Sequence, residues 1–282
     1  MNRIVALKNN LFKNKREISL ERALLYTEAY EKYKHEPTII KRALATENIL
    51  NKIEISIKDH ELIVGSRVIK PRSGILSPEM SPYWFLKEID TIHNRPQDPF
   101  YISEEDKNIY KKKLYPYWKG NSLKDYINER VSEDVQEGLD LNIIKLNQTD
   151  KGQGHIIPDF GPLIKDGLQS KVDLVKNKLQ KNPDNLFLQA CLITLKATQN
   201  YIKRYERLAL EMSQQEMDNT RKEELELIAK VCRNISEKAP SNFHEAVQLF
   251  WLVNICLQYE SNASSISSGR FDQYMYPIFK KS

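Results

Sequence analysis

The stretch GQGHIIPDF, residues 152–160, places a histidine where acid–base or binding chemistry is plausible. Gly152 and Gly154 precede His155, and Asp159 follows it four residues later. Glycine permits a positive φ and a close approach of the backbone to a ligand. A histidine in such a loop can act as an acid or a base, or hydrogen-bond a substrate. One alternative stays open: a surface histidine, with Asp159 capping the helix that follows.

A second polar loop follows the most apolar run of the chain, AVQLFWLVNICLQYE. Polar side chains that a buried helix leads into a core must pair with backbone, water or a ligand. We therefore expect this loop to face a site, with Arg270 and Asp272 most simply forming a structural ion pair. The hydroxyl and amide groups of the loop belong to Ser261, Asn262, Ser264, Ser265, Ser267 and Ser268.

The other residues with catalytic potential form no recognisable motif. The five histidines give neither HxH nor HExxH, no GxSxG occurs, and no Lys-Ser or Lys-Thr pair follows the glycines of residues 152–154. Cys191, Cys232 and Cys256 are odd in number, lack a CxxC and lie in apolar helical contexts. This pattern indicates neither a zinc site nor a disulfide framework, and it favours the reducing cytoplasm.

Length and charge are those of an ordinary soluble enzyme or binding protein. The chain has 282 residues and a net charge of +5, enough for one large domain or two small ones. The densest basic run, KNIYKKKLYPYWKG, is more typical of a solvated helix face than of a nucleic-acid site, so no nucleic-acid partner is predicted. Residues 246–259 are too short and too interrupted by polar side chains to span a membrane, which predicts a buried core helix.

Hydrophobic periodicity predicts a mostly α-helical chain with one small β element. Alternation in IEISIKDHELIVG, residues 53–65, predicts a β-hairpin, and the proline-rich residues 71–103 predict an ordered loop. Helices are predicted from Ser19, from Pro37, near residues 104–113 and 121–138, from about Leu163, over residues 184–215 and 220–236, and from Pro240.

The chain from about residue 18 onward resembles the N-terminal part of the pyruvate formate-lyase-like glycyl radical enzymes, in the branch of the glycerol and diol dehydratases and choline trimethylamine-lyase. Seven collinear stretches carry the resemblance: RALLYTEAYEKY, ELIVGSRVIKPRSGILSPEM, RPQDPFYISEEDK, YPYWKGNSLKD, GHIIPDFGPLIKDGL, FHEAVQLFWLVNICLQYESN and SGRFDQYMYP. On this resemblance residues 1–17 are an N-terminal tail, and residues 18–282 are the largely helical N-terminal part of an incomplete ten-stranded α/β barrel.

The resemblance implies a radical elimination of the C–O or C–N type. In the family a glycyl radical near the C-terminus passes to a cysteine, whose thiyl radical abstracts hydrogen from a small polar organic substrate. A separate S-adenosylmethionine-dependent activating enzyme installs the radical, and the proteins are generally homodimers of anaerobes. The radical glycine and the thiyl cysteine fall beyond the stretches matched here. We therefore expect a fragment that binds no cofactor, has no catalytic residue of its own and needs a complementary C-terminal half.

The same resemblance implies two substrate-binding residues, and a third residue is a further candidate. His155 matches a histidine that contacts a substrate hydroxyl, Ser265 matches a serine with a similar role, and Asp159 is a further polar candidate. Relatives commonly have SNGHSIS where this chain has SNASSIS, so Ala263 and Ser264 replace Gly-His and change the expected pocket.

Two other readings stay open at this stage. One is a non-catalytic binding or regulatory remnant that engages a full-length relative or the activating enzyme. The other is a poorly folded product of a decayed gene, which would expose the apolar surface of the final helix.

Overall fold

The structure, a computed structural model, describes residues 2–144, 154–261 and 265–282. In these ranges the fold is mostly helical, as predicted. A 3₁₀ turn at Ile92–Asn94 and a π-helical turn at Tyr110–Leu114 interrupt the first half. The helices are α1 (Arg3–Lys13), α2 (Glu21–Lys32), α3 (Thr38–Lys52), α4 (Tyr83–Glu88), α5 (Glu104–Ile109), α6 (Tyr115–Trp118), α7 (Leu123–Asn128), α8 (Glu133–Asp140), α9 (Phe160–Lys181), α10 (Leu186–Gln215), α11 (Asn219–Glu237), α12 (Phe243–Ser261) and α13 (Phe271–Phe279).

The strands are very short and pair in parallel. β1 (Ile18–Ser19) pairs with β2 (Gly74–Ile75), and β3 (His155–Ile156) pairs with β4 (Ser265–Ile266). Each strand has two residues and each pair joins segments far apart in the sequence. Runs this short have no alternation that could be detected beforehand.

The central core forms around α10, which packs on α3, α9 and α11. Its buried face combines alanines with tyrosines, among them Ala197, Tyr201, Tyr205 and Ala209. Spacings of four residues put these side chains on one stripe of the helix. The alanines let neighbouring helices approach, and the tyrosines fill the remaining volume. The predicted helix over residues 184–215 is confirmed.

A second core lies beneath α2 and residues 71–103. Leu20, Leu76, Phe85 and Tyr110 are all buried there, and the ring of Phe85 meets that of Tyr110 edge to face at 4.7 Å. The expectation that residues 71–103 are ordered is confirmed, because their apolar side chains form part of this core. The sequence pattern missed the short helix α4.

The predicted hairpin over residues 53–65 is wrong. Ile53 is the C-cap of α3, and the apolar side chains that alternate in the sequence turn into the core without forming strands. The backbone is paired by side chains from elsewhere: the amide of Gln248 bonds both the N–H and the C=O of Val64, each at 2.8 Å. Arg221 donates to the carbonyls of Lys58 and Glu61, each at 2.9 Å. Side chains distant in the sequence thus satisfy the backbone groups that a strand partner would have bonded here.

The apolar helix α12 is a core helix, as predicted. Ala246, Leu249, Leu252, Ile255 and Tyr259 are almost fully buried, and they recur at helical spacing along one side. Across the described ranges, no helix combines the length and apolar character required to cross a bilayer.

Candidate functional site

The two polar loops predicted from the sequence meet at β3 and β4. His155 is the register partner of Ser265, and Ile156 is the partner of Ile266. The pairing continues past the strands, where the N–H of Ser267 donates to the carbonyl of Ile156 at 2.9 Å. Registered residues of neighbouring strands project to the same side of a sheet. The structure thus places the histidine and the serine side by side on one face.

Both side chains remain accessible. His155 is exposed and Ser265 is half-buried. Asp159 is also exposed and occupies the N-cap position of α9, but its side chain forms no capping hydrogen bond. Its carboxylate is therefore not engaged in the capping role proposed as the alternative. Gly152, Asn262, Ala263 and Ser264 lie outside the described residues.

An aromatic cluster of Phe160, Phe250, Phe271 and Tyr274 joins the helices that follow the two strands to α12. The ring centroids of Phe160 and Phe250 are 4.7 Å apart, those of Phe250 and Phe271 are 5.3 Å apart, and those of Phe271 and Tyr274 are 5.7 Å apart. The cluster joins the start of α9 to α12 and α13, and each such pair contributes about 0.5–1.5 kcal/mol beyond the burial of its area. It fixes the segment after β3 against the segment after β4.

Tyr274 also ties the cluster to the β4 loop. Its hydroxyl donates to the carbonyl of Ser268 at 2.8 Å, and burial raises the pKa of this hydroxyl to about 12. The phenol therefore stays protonated at neutral pH and remains a hydrogen-bond donor. The contact holds the loop only three residues after Ser265.

The predicted ion pair between Arg270 and Asp272 does not form. The guanidinium of Arg270 donates to Oε1 of Gln273 at 3.4 Å, while Asp272 lies in the first turn of α13. Arg270 is the N-cap of α13 and its guanidinium is directed to Gln273, so it does not pair with Asp272. In the first turn of α13, the carboxylate of Asp272 is stabilised by the partial positive charge of the helix N-terminus.

The cysteines take no part in this site. Cys232 and Cys256 are buried, and burial raises the pKa of each thiol to about 12. Neither thiol is a nucleophile at neutral pH. Cys191 is half-buried, and desolvation raises its pKa as well. Within the ranges that the structure describes, no group of three His, Cys, Asp or Glu side chains could hold a metal ion.

An apolar cavity of about 350 Å³ lies between α3, α10 and α12, and its lining includes neither His155 nor Ser265. The hydroxyls of Thr46, Thr194 and Thr198 line it, but each donates to the carbonyl four residues earlier in its own helix. A site for a polar substrate needs several polar groups converging on the ligand. Arg42 and Glu260 also line the cavity, but their side chains form an ion pair with each other. Because the polar groups of the cavity are already paired, the face at β3 and β4 is the better candidate.

Comparison with known proteins identifies the family of this chain. A family model described as "Pyruvate formate lyase-like" matches residues 1–282. The chain belongs to the pyruvate formate lyase-like family. The family match includes the first seventeen residues, most of which form α1.

Members of this family that resemble the chain include dehydratases and glycyl radical enzymes. The (2S)-3-sulfopropanediol dehydratase of Klebsiella oxytoca is 35% identical over 93% of this chain and 33% of its own length. The glycerol-bound B12-independent glycerol dehydratase of Clostridium butyricum superposes with a TM-score of 0.95 at 35% identity, covering 100% of this chain and 37% of that one. A glycyl radical enzyme of Archaeoglobus fulgidus gives a TM-score of 0.92 at 32% identity, covering 99% and 37%.

The chain thus spans only about a third of the length of these family members. Its helical fold matches one part of the glycyl radical enzyme fold over nearly all of its residues. Sequence reasoning had named the two loops but not their register, since the register is visible only once the chain is folded.

Proposed function

We propose that this chain is the N-terminal part of a glycyl radical dehydratase or lyase and supplies one wall of its substrate pocket. The observation that carries the proposal is the register of His155 with Ser265, which puts two side chains capable of hydrogen-bonding a hydroxyl on one face from distant loops. The named relatives include dehydratases of glycerol and of a sulfonated propanediol. Their substrates are small and rich in hydroxyl groups, and these two side chains suit them.

The roles of the residues follow from their hydrogen-bonding chemistry. A histidine ring nitrogen and a serine hydroxyl each donate to or accept from a substrate hydroxyl, so the pair would orient adjacent hydroxyls of a small polyol. Elimination of water needs one hydroxyl to gain a proton while another loses one, and an imidazole is a common general acid and base, so His155 would carry out this proton transfer. Asp159 would accept a hydrogen bond from a further donor of the substrate.

The chemistry that starts the reaction would come from elsewhere in the assembled enzyme. The thiyl cysteine and the radical glycine would belong to the two-thirds of the family length that this chain does not span, so the chain by itself would be inactive. A radical S-adenosylmethionine enzyme would install the radical. The assembled enzyme would be a cytoplasmic homodimer of an anaerobe.

The shortness of the β3–β4 sheet supports completion by another chain segment. Parallel sheets occur almost entirely as buried sheets with covered faces, and an isolated two-stranded pair is marginally stable at best. Directly after β3, Ile157 is 71% exposed, and further along the chain Tyr276 and Phe279 of α13 are each 59% exposed. A complementary C-terminal half would extend the sheet and cover these side chains.

The same exposed side chains favour a second candidate function, a non-catalytic protein that binds a full-length relative or the activating enzyme. In that case the apolar surface at Ile157 and α13 would bind the partner, and His155 would have no role.

An assay of the assembled enzyme distinguishes the catalytic function from the binding function. The chain would be produced without oxygen together with the remaining two-thirds of the glycerol dehydratase of Clostridium butyricum and an activating enzyme. Glycerol and 1,2-propanediol would be offered as substrates. Turnover that needs both pieces is expected. His155→Ala and Ser265→Ala should each lower kcat/KM about tenfold to a hundredfold, since a lost polar contact costs about 1–3 kcal/mol.

The matched control is His35→Ala, which removes an exposed histidine between α2 and α3 and should leave turnover unchanged. A tight complex whose dissociation constant does not change in His155→Ala would favour the binding function. Turnover by residues 1–282 alone would overturn both proposals.

A further inference from the structure

The C-terminal end of α12, which leads toward β4, is held by two arginines from other helices. Nε of Arg22 donates to the carbonyl of Tyr259 at 2.9 Å. Nη2 of Arg42 donates to the carboxylate of Glu260 at 2.5 Å and lies 3.5 Å from the carbonyl of the same residue. The last carbonyls of a helix have no partner within it and carry its partial negative charge, so guanidinium groups stabilise them.

Arg22 is itself fixed in the second core. Its side chain is fully buried, and it donates to both carboxylate oxygens of Glu79, at 2.6 and 3.1 Å. A third bond reaches the carbonyl of Leu76 at 3.2 Å. The guanidinium therefore has a single orientation, and the end of α12 is fixed relative to α2.

Tyr259 adds a third attachment in the same turn. Its hydroxyl donates to the carbonyl of Arg67 at 2.8 Å, and burial raises the pKa of this hydroxyl so that it remains a donor. The last turn of α12 is thus held by α2, by α3 and by the segment that contains Arg67. Ser265 follows the last residue of α12 by only four positions, so the end of the helix limits where Ser265 can lie.

We propose that Arg42, through its ion pair with Glu260, is a positioning residue that keeps Ser265 opposite His155. The functional meaning of this inference rests on the proposed substrate pocket. Arg42 is the part of the attachment that can be changed without leaving a buried charge, because the side chains of Arg42 and Glu260 are 38% and 37% exposed. Removal of Arg22 would instead leave Glu79 unpaired in the core, which is strongly destabilising.

Amide hydrogen exchange on the full 282-residue chain tests this inference without any substrate. In Arg42→Gln the amides of residues 154–157 and 265–268 should exchange about two- to fivefold faster, the factor expected for a half-exposed ion pair. Amides of α10 and α11 should exchange as in the unmodified chain. Arg42→Lys keeps the charge and should restore much of the protection, and Glu260→Gln, which keeps Arg42, should reproduce the loss.

The matched control is Lys203→Gln, which removes a similarly exposed ion pair with Glu237 between α10 and α11. It should leave both site segments unchanged. Unaltered exchange at residues 265–268 in Arg42→Gln and Glu260→Gln would overturn the inference, as would an equal acceleration in α10. A third result is also informative: faster exchange at the site in Arg42→Gln, together with unchanged turnover of the assembled enzyme in His155→Ala. That result would support the positioning role and reject the proposed substrate pocket.

Discussion

Gly269 determines how closely the two loops of the candidate site approach each other. Its φ is +63°, and a Cβ built on it would lie 2.8 Å from Cγ2 of Ile157, the residue after β3. A backbone with positive φ is strained for a residue with a side chain, and the overlap with Ile157 adds to that strain. Gly269 therefore permits the contact between the β3 and β4 loops that puts His155 beside Ser265.

Gly269→Ala should lower the free energy of unfolding by about 1–3 kcal/mol, from backbone strain and displacement of Ile157. It should also loosen the pairing of β3 with β4. Urea unfolding measures the first effect, and amide exchange at Ile156 and Ser267 measures the second. Gly154→Ala is the control: a Cβ there meets nothing within 4 Å, so a change within about 0.5 kcal/mol is expected. Equal effects of the two substitutions would show that the close approach at Gly269 has no special cost.

At the scale of single residues, the sequence indicated which residues belong to the site but not which residues pair with each other. His155 and Ser265 were named from their loops, but nothing in two-residue strands indicates that they are partners. The pair Arg270–Asp272 was inferred from proximity in sequence and failed because both residues belong to the start of one helix. Arg42 and Glu260 were not named, because nothing in the sequence shows that two charged residues on different helices become partners when the helices pack.

Among the helices, α9 has an internal kink that lets it contact two different parts of the core. Gly167 has a φ of +78° inside this helix, and a Cβ there would lie 2.7 Å from the backbone N of Ala239. Phe160 before the kink packs against Phe250 of α12. After the kink, Gln169 accepts a hydrogen bond from Gln199 of α10 at 2.8 Å. The kink thus connects the site's aromatic cluster to the long helices.

Gly167→Ala should destabilise the chain by about 2–4 kcal/mol, because the new methyl group would meet backbone atoms that cannot rotate away. Gly161→Ala lies in the same helix, where a Cβ would meet only ordinary contacts at 3.7 Å or more. It should be neutral or gain up to about 1 kcal/mol from lower entropy of the unfolded chain. Denaturant titration of both variants gives the comparison. A loss of stability in Gly161→Ala as large as that in Gly167→Ala would contradict this explanation of the kink.

The long helices were predictable and the irregular segments were not. In α10 and α11 the apolar period persists over several turns, so the periodicity alone locates them. The segment of residues 53–65 has an alternating pattern that normally indicates strands, but its backbone partners are side chains of Gln248 and Arg221 from far along the chain. No local pattern announces such partners, and the predicted hairpin was wrong for that reason.

The whole molecule builds its own core although it spans about a third of its relatives' length. The apolar helix α12, which a poorly folded remnant would expose, is packed inside against α3, α9, α10 and α11. Its largest exposed apolar side chain is Trp251, at 37%, and the indole N–H of that residue donates to the carbonyl of Gly65. The structure therefore buries the helix that a poorly folded remnant would expose, while apolar side chains remain exposed at Ile157 and on α13.

Binding of an apolar fluorescent dye should report this surface. The chain should unfold in one cooperative transition and bind the dye weakly, and Tyr276→Ser should reduce binding without lowering the unfolding midpoint, because Tyr276 is 59% exposed. Met217→Ser, at a 92% exposed position between α10 and α11, is the matched control and should change neither. Adding the C-terminal two-thirds of a family enzyme should displace the dye. If the dye binds strongly and neither substitution reduces its binding, the dye must bind apolar side chains of a loosened core. That result would argue against an independently folded chain.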